Sequence, residues 1–153
     1  MITLSKDFED LLINLADAKA DFVLVGGYAV GFHGHTRATK DIDVLVRPTR
    51  ENAAKVFNAL RAFGAPLTSL DVSEDDLANY GGVVQLGMPP NRIDILMHVS
   101  AVTFDEAKAG DSQFEMKGRT IKVIGLDALL KNKRAAARSQ DLLDVEALEK
   151  NRQ

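Results

Sequence analysis

The segment Phe22-Val23-Leu24-Val25 runs straight into Gly26-Gly27 and then Tyr28-Ala29-Val30-Gly31-Phe32, and no other stretch restricts the fold as much. A β-branched apolar run closed by glycines reads as a buried strand, and the residues after the glycines resume a helix-compatible pattern. The order is therefore strand, glycine turn, helix, with the helix over roughly 28–34. That order points to an α/β domain.

The remaining chain extends the same pattern. Phe8, Leu11, Leu12, Leu15 and Ala18 recur at helical spacing and predict an amphipathic helix over 7–20. Ile42, Val44 and Val46 alternate with Asp41, Asp43 and Leu45, so 41–46 reads as a strand that closes at Arg47-Pro48, where proline would interrupt a ladder. Thr49 offers an N-cap and Gly64 a stop for a helix over 50–63. Residues 83–86 and 92–97 read as two strands joined across 87–91, the length of a hairpin connection. A second hairpin is expected from 114–116 and 120–124, turning at Lys117-Gly118-Arg119, before helices over 126–137 and 139–150. With 153 residues, 46% of them hydrophobic, and neither repeats nor low-complexity tracts, the expectation is one domain spanning 1–153.

Composition narrows the chemistry. No stretch approaches the ~18 consecutive apolar residues of a membrane span, and the first residues lack a basic stretch followed by an apolar core, so a cytoplasmic protein with no membrane partner is expected. There are no cysteines and only three histidines, His33, His35 and His98, which excludes thiolate zinc sites, disulfides and a cysteine nucleophile. Any metal would be held by oxygen. The net charge of −3 argues against indiscriminate nucleic-acid binding. It hides an asymmetry, because residues 1–116 carry 10 basic and 17 acidic side chains whereas 117–153 carry 9 and 5. The C-terminal stretch is either a solvated helix surface or a place for an anion.

Asp41 and Asp43 stand two apart on a predicted strand, so they leave one face about 6.5–7 Å apart at Cα. Two anions so placed among apolar neighbours repel unless a cation compensates, and the cation suited to carboxylates without His or Cys is Mg²⁺ or Mn²⁺. Asp94, centred in Ile93-Asp94-Ile95-Leu96, joins them if its strand neighbours the first. Three carboxylates can hold two divalent ions about 3.5–4 Å apart, the arrangement used for phosphoryl and nucleotidyl transfer. The alternative is an ordinary ion pair of Asp94 with Arg92 or Lys40. Gly26-Gly27, at the start of a helix, can present bare backbone N–H groups to phosphate oxygens.

This order of strand, Gly26-Gly27, helix, Asp41-Ile42-Asp43 and a later isolated Asp94 resembles the nucleotidyltransferase superfamily with the DNA polymerase β type of catalytic core. The lead-in Thr36-Arg37-Ala38-Thr39-Lys40 is similar to that of small prokaryotic members. The resemblance covers residues 20–100 and, more loosely, the remainder. It implies a mixed β-sheet flanked by helices with further C-terminal helices. It also implies that Gly26 and Gly27 hold a triphosphate, that Asp41 and Asp43 bind both Mg²⁺ ions, and that Asp94 binds the catalytic ion and orients the acceptor hydroxyl. A nucleoside monophosphate would pass from an NTP, with ATP the expected donor, and pyrophosphate would leave. Many members carry serine where this chain has Gly27; glycine there points to branches that include relatives of abortive-infection toxins. Lys133 with Asp141 is similar to the late Lys and Asp that minimal members place near the nucleotide.

Several residues keep two readings. Lys133 falls on the stripe of Leu126, Leu129, Leu130 and Ala137 that should face the body, where it either meets an anion or snorkels to water. Arg37 is a candidate to neutralise phosphate, His33 and His35 either touch substrate or are exposed, and Tyr28 either stacks on a base or packs on the core. Arg134, Arg138 and Asp141 are spaced as an intrahelical charge ladder. The polar lead-in sets aside haloacid-dehalogenase-like phosphatases, and the length sets aside metal-dependent glycosyltransferases. The acceptor stays open between tRNA, a protein and a small molecule, and a partner protein or a second copy could complete its pocket. The rival from another class is a catalytically silent nucleotide-binding or interaction module, such as half of a toxin and antitoxin pair.

Overall fold

The computed structural model describes residues 4–87 and 91–152; the expected 87–91 connection and the start of the chain therefore lie partly outside the described residues. Helix α1 (Lys6–Asp17) begins at Ser5, whose hydroxyl accepts from the Phe8 N–H, and buries Phe8, Leu11, Leu12 and Leu15. Strand β1 (Phe22–Val25) is buried at every position. Helix α2 (Gly26–Phe32) then starts at the glycine pair itself, two residues before the expected Tyr28. Gly26 makes the sharp change of direction with φ +70, a conformation that disfavours any side chain, so no separate turn is needed.

Strand β2 (Asp41–Val46) and helix α3 (Arg50–Phe63) fall on their expected spans, with Thr49 capping the Asn52 N–H and Gly64 ending the helix at φ 101. Two short helices were not expected. These are α4 (Glu74–Leu77) and α5 (Phe104–Lys108), each too short to show a period but opened by a capping box, Ser73 with Asp76 and Thr103 with Glu106. Strands β3 (Val83–Leu86) and β4 (Arg92–Leu96) pair antiparallel as expected. Strands β5 (Gln113–Met116) and β6 (Arg119–Lys122) form the second hairpin, whose turn residues Lys117 and Gly118 both have positive φ. Helices α6 (Leu126–Ala136) and α7 (Ser139–Asn151) follow.

The four-stranded sheet runs β1-β2-β4-β3, with β2 and β4 parallel and both outer pairs antiparallel. The outer edge of β1 is covered where the Ile124 N–H donates to the Leu24 carbonyl. Because side chains alternate, one face carries Leu24, Ile42, Val44, Ile93, Ile95, Val84 and Leu86, all buried. The other face carries the charges of β2 and β4. Among the described residues, no helix is long and apolar enough to cross a membrane.

Candidate functional site

Register decides the site. Asp41 lies opposite Arg92 and Asp43 opposite Asp94 across the parallel pair β2 and β4, so three carboxylates and one guanidinium form a two-by-two array on one face. Asp43 and Asp94 are direct neighbours across this strand pair. Burial first, then the neighbouring Asp94 and Asp41 carboxylates, push Asp43 up to about 7, with Lys133 acting weakly against the rise. Arg92 Nη2 donates to Asp41 Oδ2 at 2.9 Å and to Asp94 Oδ2 at 3.3 Å. The Asp94–Arg92 ion pair weighed from the sequence is therefore formed, and Asp41 is in it too. Arg92 Nε lies 3.3 Å from Asp94 Oδ1, but the two are misaligned, and each is buried without a hydrogen bond.

The glycines have a steric reason in addition to any ligand. A Cβ on Gly26 would sit 2.1 Å from Asp43 Oδ2, and one on Gly27 would sit 2.9 Å from Thr39 Oγ1 and 3.5 Å from Arg37 Nη1. The bare start of α2 is thus what lets Asp43, Thr39 and Arg37 close over it.

A second polar cluster joins α6, α7 and the lead-in to β2. Lys133 is buried, and its ammonium lies 2.9 Å from Asp144 and 3.2 Å from Asp141. Its anion is therefore supplied by the protein and the snorkelling alternative is overturned, because α7 closes over the lysine head. Arg37 forks onto Asp144 with Nε–Oδ1 2.9 Å and Nη2–Oδ2 3.0 Å, which commits most of the guanidinium that the sequence offered to phosphate. Arg138 chelates Asp141, and Arg134 pairs with Glu149. Burial alone would raise both aspartates, but the hydrogen bonds from Arg37, Lys133 and Gln140 hold Asp144 low, and those from Arg138 and Lys133 hold Asp141 low.

The two clusters meet at a cleft of about 420 Å³ lined by Gly26, Asp43, Asp94, Asn132, Lys133 and Arg138, with Val99 and Ser100 at its side. His33 Nε2 lies 2.7 Å from the Ile124 carbonyl and His35 4.0 Å from Asp144, so both have protein partners. Tyr28 meets Phe8 edge to face at 5.8 Å between ring centroids, the packing alternative. Asp144, which anchors Lys133 and Arg37 behind the cleft, is a residue that the sequence reading did not single out. The signal for Asp144 was present, since Asp141, Asp144 and Leu148 share one face of α7.

Among the described residues, no group of three His, Cys, Asp or Glu side chains is gathered as a metal cluster. Asp41 is paired with Arg92. The pair Asp43 and Asp94 does fit a hard divalent cation: its donors are all oxygen, Asp94 Oδ1 is buried and unpartnered, and the two carboxylates stand opposite one another on adjacent strands.

The crystal structure of lincosamide antibiotic adenylyltransferase LnuA, lincomycin-bound, superimposes with a TM-score of 0.60 over 97% of this chain and 98% of that one, at 19% identity. The crystal structure of ANT(2'')-Ia in complex with adenylyl-2''-tobramycin gives 0.57 over 95% and 87% at 14% identity. The fold is that of the nucleotidyltransferases. A solution structure of the antibiotic-resistance factor ANT(2'')-Ia is similar too, with a TM-score of 0.54 over 96% of this chain and 83% of that one at 15% identity. No family model and no curated protein sequence matches the chain. On the nucleotidyltransferase fold, the mixed sheet flanked by helices expected from the sequence is present, with β2 and β4 as its central, carboxylate-bearing strands.

Proposed function

We infer that the protein is a Mg²⁺-dependent or Mn²⁺-dependent nucleotidyltransferase that moves a nucleoside monophosphate from an NTP, with ATP the expected donor, to a hydroxyl of a small molecule. The observation that carries this reading is the in-register pair Asp43 and Asp94 on adjacent parallel strands, facing a cleft that opens beside Gly26. A small-molecule acceptor is supported by the likeness, over 98% of its length, to an adenylyltransferase described with lincomycin bound.

In this reading the acceptor oxygen bonds to the α-phosphorus, the bond to the β-phosphate oxygen breaks, and pyrophosphate departs. Asp43 and Asp94 would hold the divalent cation, with Asp41 joining once freed from Arg92; the cation supplies positive charge against the triphosphate. Asp94 Oδ1 orients the acceptor hydroxyl and accepts its proton. Arg138, largely exposed where it lines the cleft, would supply positive charge for the leaving pyrophosphate, with Lys133 behind it held by Asp141 and Asp144, and Gly26 would bring the bare start of α2 beside the phosphates. Arg37 acts at one remove by fixing Asp144, which in turn fixes Lys133.

The test is label transfer from each α-labelled NTP with Mg²⁺ into the small-molecule, tRNA and protein fractions of a cell extract, comparing wild type with Asp43→Ala. Label in the small-molecule fraction with wild type alone is expected. Label in tRNA or protein instead would keep nucleotidyl transfer and change the acceptor. A second reading, a silent module, is favoured by one observation: Arg92 already neutralises Asp41 and Asp94 from within. It requires no label in any fraction even where nucleotide binding depends on metal.

A further inference from the structure

Arg92 is the single cation in the array formed with Asp41, Asp43 and Asp94, and it is badly matched to its partners. One nitrogen, Nη2, is divided between two carboxylates, while Nε and Asp94 Oδ1 lie buried at 3.3 Å without a hydrogen bond. The same molecule shows the well-made alternative, since Arg37 grips Asp144 through two parallel bonds of 2.9 and 3.0 Å. Arg92 has partial solvent access, with 37% of its side chain exposed, so its guanidinium can turn outward without crossing the core. Asp41, its cross-strand partner, is 34% exposed and leans on Arg92, whereas Asp43 and Asp94 face one another.

We propose that Arg92 is an internal counter-cation for this site: it occupies Asp41 and Asp94 in the metal-free protein, must be displaced by an incoming divalent cation, and so sets the metal concentration the site requires. The inference rests on the metal-dependent reading above. A guanidinium and a divalent ion cannot use the same carboxylate lone pairs, and side by side they repel. Displacement also frees Asp41 to turn toward the other two carboxylates. Arg92 is accordingly a positioning residue that acts through the carboxylates.

The experiment is a Mn²⁺ titration, reading free Mn²⁺ by electron paramagnetic resonance, on wild type, Arg92→Met, Arg92→Lys and Asp43→Asn, with thermal midpoints recorded with and without Mn²⁺. Arg92→Met is expected to bind Mn²⁺ about tenfold more tightly than wild type. It should also melt lower without metal and show a larger Mn²⁺-induced rise. Arg92→Lys, which keeps the charge but cannot span both carboxylates, should bind with intermediate affinity, and it carries the comparison if Arg92→Met does not fold. Binding that is lost in Asp43→Asn but no tighter in either Arg92 variant would overturn the inference while leaving the metal site standing. Equal binding by wild type and Asp43→Asn, or none by any variant, would overturn the metal reading and this inference with it. A merely structural arginine would lower the metal-free midpoint without tightening Mn²⁺.

Discussion

At the scale of single residues, the site gathers like charges in a half-buried place, which costs stability. Asp43 is held among like charges in a buried place, and removing its charge should relieve that repulsion. Asp43→Asn is expected to raise the metal-free protein's stability by roughly 1–2 kcal/mol at pH 8, read by urea denaturation, and to eliminate nucleotidyl transfer. A lower stability would mean that the carboxylate is already compensated. Gly26 is constrained twice, by a φ of +70 and by Asp43 Oδ2 where its Cβ would stand. Gly26→Ala should cost about 1–3 kcal/mol and displace Asp43, so a fully active, equally stable variant would contradict the packing described for β2 on α2.

At the scale of elements, a chain of buried ion pairs ties α6 and α7 to the lead-in of β2. Lys133 leaves α6 and meets Asp141 and Asp144 of α7, and Asp144 passes the link to Arg37. Removing one partner from such a buried set leaves an uncompensated charge, so Lys133→Met is expected to cost about 3–5 kcal/mol. Pairing it with Asp144→Asn should recover part of the loss, and a double-mutant cycle in chemical denaturation measures the coupling. Additive losses would show that the two side chains do not act together. The capping boxes of α4 and α5 belong to this scale too: elements of four and five residues leave no period in the sequence, but their N-terminal residues announce them.

At the scale of the whole molecule, the two clusters pull stability with pH in opposite directions. Asp141 and Asp144 are held below the ordinary carboxylate value of 3.8, so their contribution is complete above it and is lost as pH falls through their folded values. Asp43 is raised to about 7, so its folded form keeps a proton that the unfolded chain has released; that contribution is complete below 3.8 and is lost as pH rises toward 7. Metal-free protein should therefore lose stability between about pH 4 and 7 through this group. Asp43→Asn should flatten that slope, and saturating Mg²⁺ should oppose it by favouring the ionised pair. Urea midpoints across that range, with and without Mg²⁺, decide the matter, and an unchanged slope in Asp43→Asn would refute the assignment.

The sequence alone was enough for the strands and the longer helices, because alternation in 41–46, the apolar run 22–25 and the Thr49 and Gly64 boundaries are local properties of neighbouring residues. It also singled out Gly26, Gly27, Asp41, Asp43 and Asp94, since charge set among apolar strand residues is visible without a fold. It could not say which carboxylates face each other. That depends on β2 and β4 being parallel neighbours with Asp43 opposite Asp94 and Asp41 opposite Arg92, a register set by the packing of the whole apolar face. Nor could it say that Lys133 and Arg37 are claimed by Asp144, which lies 107 residues after Arg37 in the chain and reaches it only when α7 folds back. Spacing along a chain records what one element can present; the partner is chosen by the element that packs against it.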